Sequence, residues 1–470
     1  MPQLLATCEL WIDGVRYPDG STPGEDPANP FAVTGLTIVW GRETTLDQPQ
    51  PAQCTFTVLD PPGGTVRFDD TVKLGSTVAV YAAIPGGTRQ LVYGGRVTDL
   101  AAAWDPGAGA GSCQVAVADT MADLANRFVG AEPWAAQTLT ARAQRILAAV
   151  GVSTAGLTVA ARLAPLPVSR MDVDRQAAAG LLNDLAASAG GVLWAAVIDA
   201  TTTAFRFEDP WARASLVRFV KDPGTGKWHP AIVPGGNGYP LPACQVLRDP
   251  VVWGRAVTDL ITRATVRWLD QTTSPGTTER SVAVLDTAAE ATYGARGLSV
   301  GTILTTSADA STLASGLLAA HQPSPSWRTA GLAWDLADTD DPADPETIDL
   351  ATRLLDNKAR LGLPIALTDL PYWTPTAAAV SLYVEGGDYR FDRGRWVLAL
   401  TAAPATGLGG SMSFDTFNRS VRYVDMDRTV SYLDLIGVGP TIGHGPDWAD
   451  VPAGTTWAAV PADHDWSEGP

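Results

Sequence analysis

The sequence predicts a mixed α+β, β-dominated protein: two similar β-barrel domains with inserted α+β elements and an extended C-terminal strap. Three observations lead there. Short strand-like runs separated by Pro-Gly and Gly-Gly turns fill residues 1–128, the pattern of a small barrel or sandwich. A stretch with helical periodicity follows at 129–220. The tract YGGRVTDL (93–100) is then echoed by WGRAVTDL (253–260), the trace that two copies of one barrel would leave. The resulting division is a first barrel (1–128), an α+β insertion (129–220), a Gly/Pro-rich linker (221–244), a second barrel with a helical insert (245–405) and an extension (406–470). A chain of 470 residues with 46% apolar content is ample for such a division.

In the first barrel the predicted strands are Cys8–Ile12, Val33–Trp40, Cys54–Leu59, Thr77–Ala82, Gln90–Val97 and Cys113–Ala118, each rich in β-branched or aromatic residues. Val78–Tyr81 and Leu91–Tyr93 read as a hairpin across Pro85-Gly-Gly. Asp119–Arg127 and Thr138–Val150 read as helices, the second with Leu139, Ala143, Ile146, Leu147 and Val150 near one face and Gly151 as its C-terminal stop. A helix is predicted over Asp172–Ala189, with Leu181, Leu182, Leu185 and Ala189 as its stripe. Val192–Ile198 and Thr203–Glu208 alternate as a hairpin. Strands resume at Val251–Val257 and Ala264–Leu269, and Thr312–His321 is helical. Asp344-Pro345-Glu346 starts a helix, with Asp as N-cap and Pro at the first helical position. Strands near Leu363–Leu367 and Ala378–Val384 precede a hairpin, Tyr389–Leu400, turning at Asp392-Arg-Gly394.

The extension carries a nine-residue repeat, WADVPAGTT then WAAVPADHD, placing Trp448, Trp457 and Trp466 at equal spacing. The residue before each proline is biased to extended backbone. The repeat reads as a docking strap whose tryptophans enter pockets on a neighbour, with packing against the chain's own body as the alternative.

Composition excludes several functions. Lys plus Arg is 33 and Asp plus Glu 50, a net charge of −17, so sequence-independent nucleic-acid binding is disfavoured, although a surface that DNA slides past is not. The longest apolar runs, such as Gly191 to Ile198, fall short of the ~20 residues of a membrane span. The start MPQLLATCELWIDG has neither the basic nor the apolar region of a signal peptide. Cys8, Cys54, Cys113 and Cys244 form no CxxC and read as buried thiols of a chain made in a reducing cytoplasm.

The chemical motifs are weak. Gly297-Leu-Ser299-Val-Gly301 has the letters of a nucleophile elbow, but the strand-before, helix-after context is missing. His229, His321, His444 and His464 form no zinc-ligand pattern. DPGTGKW (222–228) lacks phosphate-loop spacing, and PGAGAGS (106–112) reads as a hairpin tip. Asp338, Asp340, Asp341 and Asp344 are carboxylates of the kind Ca²⁺ takes, but without the glycine and terminal glutamate of an EF-hand they read as a solvated loop. No catalytic, cofactor or metal residue is assigned, and no enzymatic activity is expected.

Four stretches together carry a resemblance: GGRVTDL (94–100) with CQVAVADTMADLANRFVG (113–130) and TARAQRILAAVG (140–151); DRQAAAGLLNDLAASAGGVLWAAV (174–197) with TTAFRFEDP (202–210); AEATYGARGLSVGTILTTSADASTLASGLLAAHQPSPSWR (289–328); and GGDYRFDRGRWVLAL (386–400). Over roughly residues 1–405 the chain resembles the tail hub proteins (minor tail or baseplate hub proteins) of long-tailed phages, in the style of those infecting actinobacteria. The resemblance implies two barrels per chain. It also implies a homotrimer whose six barrels continue a six-fold tail tube and adapt it to a three-fold tip. The implied partners are a distal tail or tube protein, the tape-measure protein and a central fibre or tip protein. DNA would pass through the lumen transiently, without stable membrane insertion, at the distal tip of a virion assembled in the host cytoplasm. Many hubs carry a C-terminal peptidase, lysozyme-like or fibre domain; here about 65 residues with no catalytic set follow the second barrel, so any wall digestion is expected of another tail protein. The alternatives are a distal tail ring or fibre adaptor protein, a carbohydrate-binding adhesin using some of the sixteen tryptophans, and a hydrolase with an unrecognised carboxylate pair.

Overall fold

The computed structural model describes residues 6–17, 32–43, 47–60, 71–85, 87–105, 110–130, 132–199, 202–210, 218–221, 228–231, 239–242, 252–254, 260–272, 277–320, 328–330, 332–339, 344–370, 380–392 and 394–404. Trp448, Trp457 and Trp466, Asp340 and Asp341, Cys244, most of the predicted linker and residues 255–259 of the echo lie outside them. The chain divides into two compact units. One holds Met1–Pro210, Cys244–Leu363 and Val384–Ala403, and the other Trp211–Ala243, Pro364–Tyr383 and Pro404–Pro470.

The first unit begins with a hairpin absent from the sequence reading. β1 (Thr7–Ile12) and β2 (Val15–Tyr17) pair around Asp13-Gly14, whose φ angles are 47° and 81°. Two successive left-handed residues are what a two-residue hairpin turn needs, and Asp-Gly supplies them at low cost. β3 (Ala32–Gly41), β4 (Gln50–Asp60), β5 (Thr77–Ala83), β6 (Gln90–Asp105) and β7 (Ala110–Ala118) follow where strands were expected. Their alternation buries Leu36, Ile38 and Trp40, then Cys54, Phe56 and Val58, then Cys113, Val115 and Val117. β6 runs on to Asp105, well past the predicted end at Val97. Ala101–Ala103 are poor strand formers, but each pairs with a residue of β7, and that ladder overrides local preference.

α1 (Thr120–Ala125) is capped by Asp119, and α2 (Leu139–Ala149) by Thr138. α3 is Ala178–Ser188, shorter at its start than the predicted Asp172–Ala189. Met171–Val173 instead pairs with Glu132–Trp134, Gln176–Ala177 with Phe128–Val129, and Arg175 sits at φ 46°. A left-handed residue there interrupts any helix. β8 (Val192–Val197) and β9 (Thr203–Glu208) form the expected hairpin. Leu139, Ile146, Leu147, Leu181, Leu182, Leu185, Phe205 and Phe207 belong to one core within this α+β segment.

β10 (Arg263–Asp270) lies between antiparallel β11 (Thr278–Leu285) and parallel β12 (Gly297–Gly301), with α4 (Thr287–Tyr293) joining the latter two. α5 is Ser307–Ala320, starting earlier than the predicted Thr312 because Thr306 and Asp309 exchange hydrogen bonds at its entry. Next come β13 (Leu332–Asp335) and α6 (Pro345–Leu355), the latter with the predicted cap: Asp344 accepts from Thr347 N at 2.9 Å.

The two strands expected at Ala378–Val384 and from Tyr389 are one, β14 (Val380–Asp392), turning into β15 (Arg395–Pro404). Gly386-Gly387 lies between the two expected strands. In the structure it is a close approach of backbones: a Cβ on Gly386 would lie 2.7 Å from Trp40 O, and one on Gly387 2.6 Å from Ala399 O.

The first unit's sheet runs β2-β1-β5-β6-β7-β4-β3-β14-β15-β13. It is an open path. Among the described residues no pairing closes it into a barrel, and the second half of the echo begins on Val252–Gly254, which pairs with Arg328–Ala330 in a separate small sheet. In the second unit, Arg218–Lys221 pairs with Trp228–Ala231. There Tyr239–Pro242 lies parallel to Pro364–Thr368, which pairs antiparallel with residues 380–383.

Candidate functional site

The large sheet has one core face and one exposed face. On the exposed face of its central strands stand Thr34, Thr37 and Val39 of β3, Gln53, Thr55, Thr57 and Leu59 of β4, and Ser112, Gln114, Ala116 and Ala118 of β7. None carries a charge. The register sets Thr37 beside Thr55, Thr34 beside Thr57, and Thr57 beside Gln114. Cross-strand threonine pairs suit a pleated sheet. Charge stands at the flanks, on Arg96 and Asp99 of β6 and in the Arg390–Asp388 pair of β14, 2.6 Å apart. A face of hydroxyls, amides and methyls neither attracts nor repels a polyanion, and depletion of charge also marks the centre of protein interfaces. On the β6–β7 hairpin Trp104 exposes 70% of its surface, a tryptophan that sequence reading centred on the C-terminal repeat missed.

Behind the face lies a buried polar layer. Arg42 and Glu385 form an ion pair at 2.7 Å, each side chain 2% exposed. Gly41, at φ 87°, allows the approach, because a Cβ there would meet Glu385 O at 2.3 Å. Asp119 accepts from Ala52 N, Met121 N and Ala122 N. Burial pushes its carboxyl up to about 6, against the opposing pull of these donors and of the Arg360 charge. Tyr93 donates to Val117 O at 3.0 Å, and burial raises its phenol. The Arg360 guanidinium lies 4.2 Å from the Trp40 ring centre and 5.5 Å from that of Tyr389. Burial pulls it down to about 10.

The sequence-level candidates fall as follows. Ser299 stands on β12 opposite Thr265, in a strand and not at an elbow. Among the described residues no cluster of His, Cys, Asp or Glu has the geometry of a metal site. Of the four acidic candidates for Ca²⁺, Asp344 is engaged as the α6 cap, bonding both Thr347 N and its hydroxyl, and Asp338 ends a short 3₁₀ turn. Cys8, Cys54 and Cys113 are buried. No described helix is long and apolar enough to cross a membrane.

This fold, a long antiparallel sheet with α+β segments inserted between its strands, is shared with other solved structures. The chain is similar to the 43 kDa tail protein of prophage MuSo2 from Shewanella oneidensis, with a TM-score of 0.51 and 13% identity, over 84% of this chain and 98% of that one. It is also similar to the tail protein from Neisseria meningitidis MC58, with a TM-score of 0.50 and 10% identity, over 87% and 99%. No family model and no curated protein matches the sequence.

Proposed function

We propose that the chain is the structural hub of a phage tail tip, of the type found in long-tailed phages of actinobacteria. Three copies form a ring that continues the tail tube and adapts its six-fold symmetry to a three-fold tip. The observation that carries this reading is the match, over 84% and 87% of this chain, to two tail proteins that are each covered almost end to end. The uncharged sheet face supports it, since a conduit wall must let DNA pass without holding it. The two-barrel division of the sequence belongs to the same reading, with residues 1–128 and 245–405 as the two halves of the ring contributed by each chain.

The role is assembly and guidance, with no turnover of a substrate. The partners are two further copies, a distal tail or tube protein, the tape-measure protein and a central fibre or tip protein. The strap bearing Trp448, Trp457 and Trp466 docks on one of them. The protein assembles in the host cytoplasm and resides at the distal tip of the virion.

Antibody labelling of tailed particles that contain the chain tests the location. Gold at the tip, with three copies per particle by quantitative mass spectrometry, is expected. Label along the tube or at the head end would refute it.

A further inference from the structure

Residues 356–363 join α6 to the strand Pro364–Thr368 without regular structure, yet Asn357, Arg360, Leu361 and Leu363 are all buried. They are seated against an irregularity in β6. The β5–β6 register passes from Val80–Tyr93 to Tyr81–Leu91 and skips Val92. Such a bulge leaves ladder groups unpaired. The segment takes them up: Asn357 donates to Leu91 O from its backbone (3.2 Å) and its side chain (2.5 Å), and Arg360 donates to Val92 O at 3.0 Å. Gly362 N and Leu363 O bond Val384, and Arg206 donates to Lys358 O.

The fit is incomplete. Arg360 Nε and Asn357 Oδ1 are buried without partners. Two carboxylates act on the Arg360 charge, Asp356 more strongly than Asp119, and neither bonds it: Asp356 accepts from Lys358 N, and Asp119 from three backbone N–H groups. A buried cation held by one carbonyl and two ring faces, beside two orphaned polar atoms, regains water on leaving the interior. Against that stand the backbone and side-chain bonds to Leu91, Val92, Val384 and Arg206 and two leucines.

We infer that residues 356–363 form a plug that opens as a unit while the sheet around it stays folded, with the buried Arg360 charge biasing it toward opening. Opening exposes the Leu91 and Val92 carbonyls and a short apolar strip, a surface absent from the closed state. The inference rests on side-chain geometry alone and stands whether or not the chain is a tail hub.

Native-state hydrogen exchange of the full chain tests it, with mass-spectrometric readout at rising sub-denaturing urea. Peptides over 357–363 are expected to exchange at least tenfold faster than those over 348–354 and 92–97, with little urea dependence, the mark of local opening. Exchange at the same rate and urea dependence as β6 would overturn the plug. Arg360→Met removes the charge and keeps most of the bulk. Slower exchange confined to 357–363 is the expected result, and faster exchange there would show Arg360 holding the segment shut, contrary to the proposed bias. Should that variant not fold, the wild-type comparison still decides whether the plug opens.

Discussion

At the scale of residues, the buried polar layer makes opposite demands on Asp119. Its three backbone N–H partners favour the carboxylate, and burial disfavours it more strongly. Its folded-state pKa of about 6 lies above the unfolded value of 3.8. The stability tied to this group is therefore complete below the unfolded value and is lost as pH rises through about 6. A difference of that size corresponds to on the order of 2–3 kcal/mol between the limits. Asp119→Asn removes the titration but also replaces one acceptor facing Ala52 N with a donor. The expected outcome is that the melting temperature of the Asn variant, relative to wild type, improves as pH goes from 5 to 7.5. A relative shift in the opposite direction would reverse the assignment. Glycine positions separate two effects. A Cβ on Gly14 (φ 81°) would have open space around it, whereas one on Gly41 (φ 87°) would meet Glu385 O at 2.3 Å. Gly14→Ala should lose about 1–2 kcal/mol from backbone strain alone. Gly41→Ala should lose roughly 3 kcal/mol or more, or fail to fold. Urea unfolding of the two variants measures the ranking.

At the scale of elements, α6 offers the plainest test of local logic. Asp344→Ala removes the acceptor for Thr347 N and should cost about 1 kcal/mol in urea unfolding. That cap was legible in three letters, Asp344-Pro345-Glu346, because a helix start is chemically local. The same holds for the strands of the first sheet, whose alternation states which side chains go inside. Three features were not legible for a common reason: each depends on a partner remote in sequence. Ala101–Ala103 are strand because β7 pairs with them. Gly386-Gly387 continues β14 because β3 and β15 come too close for side chains. Residues 171–177 leave the helix because 128–134 pair with them. The β1–β2 hairpin is a different case, since Asp13-Gly14 is a strong local turn signal. The uncharged face was equally unreadable, because its members alternate along three strands and come together only through register.

At the scale of the whole molecule, acidity and a neutral sheet face fit the conduit proposed above, and the fold is similar to that of two solved tail proteins. Converting Thr55 and Gln114 to Arg should leave thermal stability within about 0.5 kcal/mol of wild type, since both positions are solvent-facing. In the proposed hub, particles carrying this double substitution should assemble yet deliver DNA poorly, scored by electron microscopy together with infectivity. Deleting residues 446–470 should weaken incorporation of a neighbouring tail protein without unfolding the body, and loss of the folded body would contradict the strap. The central claim is assembly, and electron microscopy of the purified full chain with class averaging tests it most directly. A three-fold ring of three chains with six-lobed pseudosymmetry and a central opening is the expected result. A ring of six chains, or a chain that remains monomeric when tube and tape-measure partners are supplied, would contradict it.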